Sequence, residues 1–284
     1  MRSVVKKETV PVRYPKYYRQ RYIMTLLQNL ENGVTGAEFQ KVLFLSQRET
    51  EISYYDFISS GRGFHSFQAV NDLEVLHESG WLEIEGNYIR VLRNLPYEKG
   101  LKQAEALKLL FFAKGKKKCP EQQLMFSSSV KQQGEQPAVE GSVLFTIGYE
   151  GISFEQYVNR LMHQEIRLLC DVRMNPISRK FGFSKGRLSE LLPTVGIEYL
   201  HIPELGITSG KRKHLHTAAD YQHLFADYRK NLSKKKKHLF RLTELMGQYG
   251  RLALTCFERK PTLCHRHCIS DHLEKKSNLK VVHL

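Results

Sequence analysis

The chain has no apolar run approaching the roughly 20 residues that span a bilayer, and its first residues, Met1-Arg2-Ser3-Val4-Val5-Lys6-Lys7, lack the apolar core of a secretion signal. A soluble, cytoplasmic protein with no membrane partner is expected. Cysteine is scarce: five thiols, an odd number scattered over 284 residues, do not make a disulfide framework, so reduced thiols are the default. Paired Cys-x-x-Cys spacing is absent too. Cys256, Cys264, His265, His267 and Cys268 supply zinc-ligand types, but without that pairing no metal site and no cofactor is expected. No acidic cluster is arranged for Mg²⁺, which weakens a two-metal nuclease. What the sequence has in excess is positive charge. Lys and Arg number 44 against 29 Asp and Glu, a net charge of +15, and this favours an anionic partner, nucleic acid first.

Residues 1–17 are basic, carry Pro11 and Pro15, and read as a tail. Residues 18–98 read as a small winged-helix-like (α+β) domain. Tyr22, Leu26, Leu27 and Leu30 recur at helical spacing and stop at Asn32-Gly33, which places a helix at 18–31. Thr35 and Glu38 have the spacing of a capping box for a second helix. Val70, Leu73 and Leu76 form the stripe of a third over 66–79, and Trp81 to Leu92 alternates about Gly86-Asn87 as a two-stranded ribbon. Three helices and a ribbon resemble the winged-helix modules of bacterial regulators and defence proteins. In that reading Arg62, His65, Gln68 and Asn71 near the third helix reach DNA. The opposing reading is protein contact, because Asp72, Glu74, Glu78, Glu83 and Glu85 on the same elements would repel phosphate.

One more helix fits 99–114, and the stretch to residue 140, rich in Lys, Gln and Ser, reads as a flexible linker. From 141 to 284 short apolar runs alternate with helical patterns, the mark of an α/β, mostly parallel sheet. Strands fit Val143–Ile147, Arg167–Val172, Tyr199–Ile202, Leu252–Phe257 and Lys280–Leu284; helices fit 153–162, 187–195, 218–232 with a further one to Met246, and 264–275. The polar groups Gly148 to Gly151, Asp171 to Phe181, Pro203 to Gly206 and Glu258 to Arg266 each follow a strand. They therefore fall at the carboxyl edge, where open parallel sheets bind ligands.

Phe145 to Tyr149, Asp171 to Arg179 with Phe183-Ser184, Gly196 to Gly206, and Cys256-Phe257-Glu258 with Cys264-His265-Arg266 together resemble the domain of unknown function four-eight-eight family. The resemblance covers about 143–284. It implies a Rossmann-like fold and marks Asp171, Arg173, Ser178, Arg179, Glu258, Cys264, His265 and Arg266 as motif residues, without supplying a reaction.

On the residues themselves, Arg173, Arg179 and Arg266 are candidates to converge on one anion, with Tyr149 and Ser178 beside them; the alternative is that Arg173 pairs with Asp171 or Glu258 to hold the loops. Glu258, beyond a buried strand, is a candidate general acid or base with Asp171 as its charged partner. Cys264 near a helix start with His265 adjacent is a candidate nucleophile, though neighbouring side chains need not touch. Lys211, Arg212 and Lys213 form a basic loop suited to a nucleic-acid backbone. The expected function is a nucleic-acid-directed enzyme, on DNA rather than RNA, that cleaves an N-glycosidic bond or transforms a base, in a bacterial defence or DNA-modification pathway. The competing expectations are a non-catalytic nucleotide-sensing DNA-binding regulator and a metal-dependent nuclease.

Overall fold

A computed structural model describes residues 13–30, 33–50, 53–60, 63–96, 142–212, 215–277 and 279–284. The helix expected at 99–114, the linker, Arg62, Lys213 and most of the N-terminal tail lie outside them. The chain divides into two compact units near residue 130.

The first unit runs α1 (Tyr18–Gln28), β1 (Val34–Thr35), α2 (Gly36–Thr50), β2 (Ile58–Ser60), β3 (Gly63–His65), α3 (Phe67–Glu78), β4 (Leu82–Glu85) and β5 (Tyr88–Val91). The three expected helices and the ribbon are present, and Gly86, at φ +60°, turns the ribbon. The capping box forms: Thr35 N donates to Glu38 Oε2 at 2.8 Å and Glu38 N to Thr35 Oγ1 at 3.3 Å. Two features were not expected. β1 adds an antiparallel strand to the ribbon, giving the order β1-β5-β4, and β2–β3 forms a separate hairpin. Both are two or three residues long, too short for a period to be read. Residues 13–17 are not a free tail, since Trp81 Nε1 donates to the Arg13 carbonyl at 2.8 Å. Asp72 does not face phosphate either. It is buried and accepts hydrogen bonds from Arg19, Gln20 and Tyr55.

The second unit is α/β. Its elements are β6 (Val143–Gly148), α4 (Phe154–His163), β7 (Leu168–Asp171), α5 (Lys185–Leu191), β8 (Glu198–His201), α6 (Ala218–Leu232), α7 (Lys236–Tyr249), β9 (Arg251–Cys256), α8 (Arg266–Ser277) and β10 (Lys280–His283). All five strands are parallel in the order β10-β6-β9-β7-β8. The segment 187–195 is not one helix: α5 ends at Leu191 and a 3₁₀ turn containing Pro193 follows. The last helix starts at Arg266, leaving Cys264 extended in the loop before it.

Leu144, Leu168, Cys170, Leu252 and Leu254 pack against Phe225, Tyr228 and Leu232 of α6, Leu239, Leu242 and Met246 of α7, and Cys268, Ile269 and Leu273 of α8. The alternate residues point to the other face, where Tyr157 of α4 donates its hydroxyl to Thr255 at 2.8 Å. With both faces covered, continuous apolar runs are what such strands require.

The strand order has a consequence for function. From β6 the chain crosses to β7, beyond β9; from β9 it crosses to β10, beyond β6. Connections leave this adjacent pair in opposite directions, so the carboxyl ends of β6 and β9 are the switch point, the place at which open α/β sheets bind ligands.

Candidate functional site

Two polar clusters stand at this carboxyl edge. The first follows β7. Asp171 is fully buried, and its carboxylate accepts from Arg173 N (3.0 Å), Arg173 Nε (2.8 Å), Arg173 Nη2 (2.5 Å) and the Tyr199 hydroxyl (2.8 Å). Arg173 Nη1 donates to the Tyr149 hydroxyl and to the Phe183 carbonyl, at 2.8 and 2.9 Å. Tyr149 is itself buried and stacked on Phe183 with ring centroids 4.2 Å apart. A buried carboxylate and guanidinium that satisfy one another's hydrogen-bonding capacity hold a loop in place. This geometry is that of an anchor.

The expected convergence of three arginines on one anion is not what the structure contains. Arg173 is committed to Asp171. Arg266, also fully buried, donates to the carbonyls of Glu258 and Arg259 and to Thr146 Oγ1, so it fastens the loop after β9 from below. Arg179 is exposed and has no carboxylate partner among the described residues, with Ser178 half-buried beside it. Nor do Asp171 and Glu258 form a reactive pair, because Asp171 is closed off from solvent.

The second cluster follows β9. Gly148, at the end of β6, admits the loop: a Cβ there would stand 1.9 Å from the Glu258 carbonyl oxygen, so only glycine allows this approach. The loop is also tied by Glu150 N to the Phe257 carbonyl and by Arg259 N to Glu150 Oε2, each at 3.0 Å. At its root Cys256, Cys264 and His265 are buried with their ligand atoms within 4.8 Å of one another. His265 Nδ1 lies 3.8 Å from Cys256 Sγ and 3.9 Å from Cys264 Sγ, so this adjacent cysteine and histidine do meet. His265 Nε2 lies 2.9 Å from the Val172 carbonyl. A carbonyl only accepts, so Nε2 carries a proton and Nδ1 faces the two sulfurs.

Above the sulfurs is Glu258, its side chain 17% exposed. Cys256 Sγ donates to Glu258 Oε2 at 3.3 Å, and Arg212 Nη2 pairs with Oε1. Burial, then the neighbouring Cys256 sulfur, raise the Glu258 pKa. Cys256 is held well below the usual thiol range, first by its hydrogen bond with Cys264 and then, against the cost of burial, by His265 and Arg212. Burial and the charge on Cys256 push Cys264 the other way. The rim is basic and aromatic. Arg259 and Lys260 are exposed, Arg212 is partly so, and Phe257 is 43% exposed, with its ring edge-on to Tyr149 at 5.3 Å. Lys211 is exposed and paired with Asp227 at 2.7 Å.

Phe257 was given no role from the sequence, and Cys256 entered only among the zinc-ligand types, where no metal site was expected. The signal available for Phe257 was its position, a large apolar residue immediately after the buried run that ends at Cys256 and just before Glu258, Arg259 and Lys260. In the first unit, His65 lies in β3 with its ring edge-on to Phe67, and Gln68 is half-buried in α3. No curated protein and no solved structure matches the chain. Residues 153–273, within the C-terminal unit, match the family described as Domain of unknown function DUF488.

Proposed function

We propose that the protein is a nucleic-acid-directed hydrolase whose C-terminal unit acts on a base, with cleavage of an N-glycosidic bond as the reaction class. One observation carries this reading. Glu258, a half-buried carboxyl with a raised pKa, stands at the switch point between an exposed aromatic ring and a rim of cations. An exposed ring beside cations is the arrangement that stacks a base and tracks its phosphates. A carboxyl whose pKa is raised by burial is suited to protonate a leaving group or to accept a proton from water. Phe257 is the stacking platform, Arg212 orients Glu258, and Arg259, Lys260 and Arg179 meet phosphate. Asp171 and Arg173 hold the floor. The four described cysteines, free and buried, suit a reducing, cytoplasmic setting.

We read residues 18–96 as a winged-helix-like module. The outer face of its α3 presents Glu74, Val75 and Glu78, which favours protein contact over phosphate contact. The test is incubation with single- and double-stranded DNA and RNA, modified and unmodified, followed by mass spectrometry for free base, abasic sites or altered bases. Wild-type protein is expected to give product that Glu258→Gln does not. Equal product from both, or none from either on every substrate, overturns the reading.

A further inference from the structure

We infer that Cys256 Sγ, Cys264 Sγ and His265 Nδ1 form a binding site for one zinc-class divalent ion, with a fourth coordination position open toward Glu258. This assignment stands on geometry and is independent of the substrate proposed above. Tetrahedral zinc with Zn–S near 2.3 Å and Zn–N near 2.0–2.1 Å sets its S and N ligands about 3.6 Å apart and two sulfurs about 3.8 Å apart. The sulfur-to-nitrogen separations of 3.8 and 3.9 Å come within a few tenths of that, and all three donor atoms lie inside 4.8 Å of one another. Among the described residues this is the one grouping of three such donors.

Three further features fit a metal better than a thiol packed as a small apolar side chain. The imidazole is already oriented, because its other nitrogen donates to the Val172 carbonyl, the outer hydrogen bond that fixes a ligating histidine. The donors arrive on rigid supports: Cys256 ends the central strand β9, while Cys264 and His265 stand immediately before α8, tied down by Arg266. Two thiolates neutralise a divalent ion, and thiolate–imidazole donor sets select zinc over magnesium or calcium. Glu258 stays outside the trio, 3.3 Å from one sulfur and held by Arg212. Three protein donors and one free position describe a catalytic rather than a closed structural zinc site. A divalent ion there would supply Lewis-acid chemistry beside the Glu258 carboxyl.

The test is metal content and spectroscopy on the tag-free full-length protein under reducing conditions. After growth with zinc and dialysis against metal-free buffer, one equivalent of zinc per chain is expected. Exchange for Co²⁺ is expected to give thiolate-to-cobalt charge-transfer bands and the visible bands of a tetrahedral site. Cys256→Ser and Cys264→Ser should each fall from about one equivalent toward none and lose the charge-transfer intensity, whereas Cys268→Ser, outside the trio, should keep both. Circular dichroism on each variant separates ligand loss from unfolding, and the wild-type cobalt spectrum reads the site without any variant. Wild-type protein with fully reduced thiols that retains no zinc and gives no charge-transfer band overturns the assignment. So does folded Cys256→Ser that keeps its full equivalent, or loss of metal from Cys268→Ser with folding intact.

Discussion

The clusters after β7 and β9 sit at the same edge of the same sheet, and both combine acids with arginines. They differ in what is left over. Around Asp171 the guanidinium, two phenols and a backbone carbonyl use up one another's hydrogen-bonding capacity inside the protein. Around Cys256 two sulfurs and an imidazole nitrogen face each other, and a carboxyl with a raised pKa stands beside an exposed aromatic ring. A polar residue at the ligand-binding edge is therefore only a candidate. Its remaining donor and acceptor capacity, once the fold has formed, separates scaffold from site.

The largest expected effect tests the scaffold side. Asp171→Ala would leave the buried Arg173 guanidinium without its counter-charge, at a cost of about 3–5 kcal/mol to the C-terminal unit, measured by urea unfolding. A loss under about 1 kcal/mol would mean that the pair is a solvated surface bridge and that the contrast with the second cluster is false. Next, Gly148→Ala forces the loop carrying Glu258 to retreat from β6. Overpacking of this kind costs about 1–3 kcal/mol, and the variant should lose activity more than stability, because the displaced backbone belongs to the loop that presents Glu258. Full activity in a folded Gly148→Ala protein would separate the packing of this loop on β6 from the reaction. The smallest stability effect is expected for Arg212→Ala. Its partner Glu258 can take up a proton, so the change should cost about 1 kcal/mol or less, while turnover falls through loss of the contact that orients the carboxyl.

Much of this arrangement was legible before folding was considered, and the reasons differ from part to part. Strands β6, β7 and β9 announce themselves because inner strands covered on both faces are nearly continuous apolar runs, the edge strands β8 and β10 are mixed, and the polar turns after β6, β7, β8 and β9 mark the carboxyl edge. Thr35 and Glu38 announce α2 because capping is a local interaction. By contrast, the fates of Arg173 and Arg266 depend on which groups the folded chain brings near them, and spacing along the chain carries no such information. The same holds for the thiol pair. Cys256 and Cys264 are eight positions apart, with no paired Cys-x-x-Cys motif, yet the loop between them returns to its own root and brings both sulfurs to one imidazole. Asp72 shows the limit from the other direction: an acid on a helix stripe looked exposed, but Arg19, Gln20 and Tyr55 enclose it.

The most direct test of the contrast is a side-by-side comparison of Tyr199→Phe, which removes one hydrogen bond from Asp171, and Glu258→Gln, each assayed for unfolding free energy and for base turnover per folded molecule. Tyr199→Phe is expected to lose about 1 kcal/mol of stability while turning over at the wild-type rate, and Glu258→Gln to keep its stability while losing turnover. The opposite pattern, with turnover lost in folded Tyr199→Phe and kept in Glu258→Gln, would place the chemistry after β7 and contradict this account.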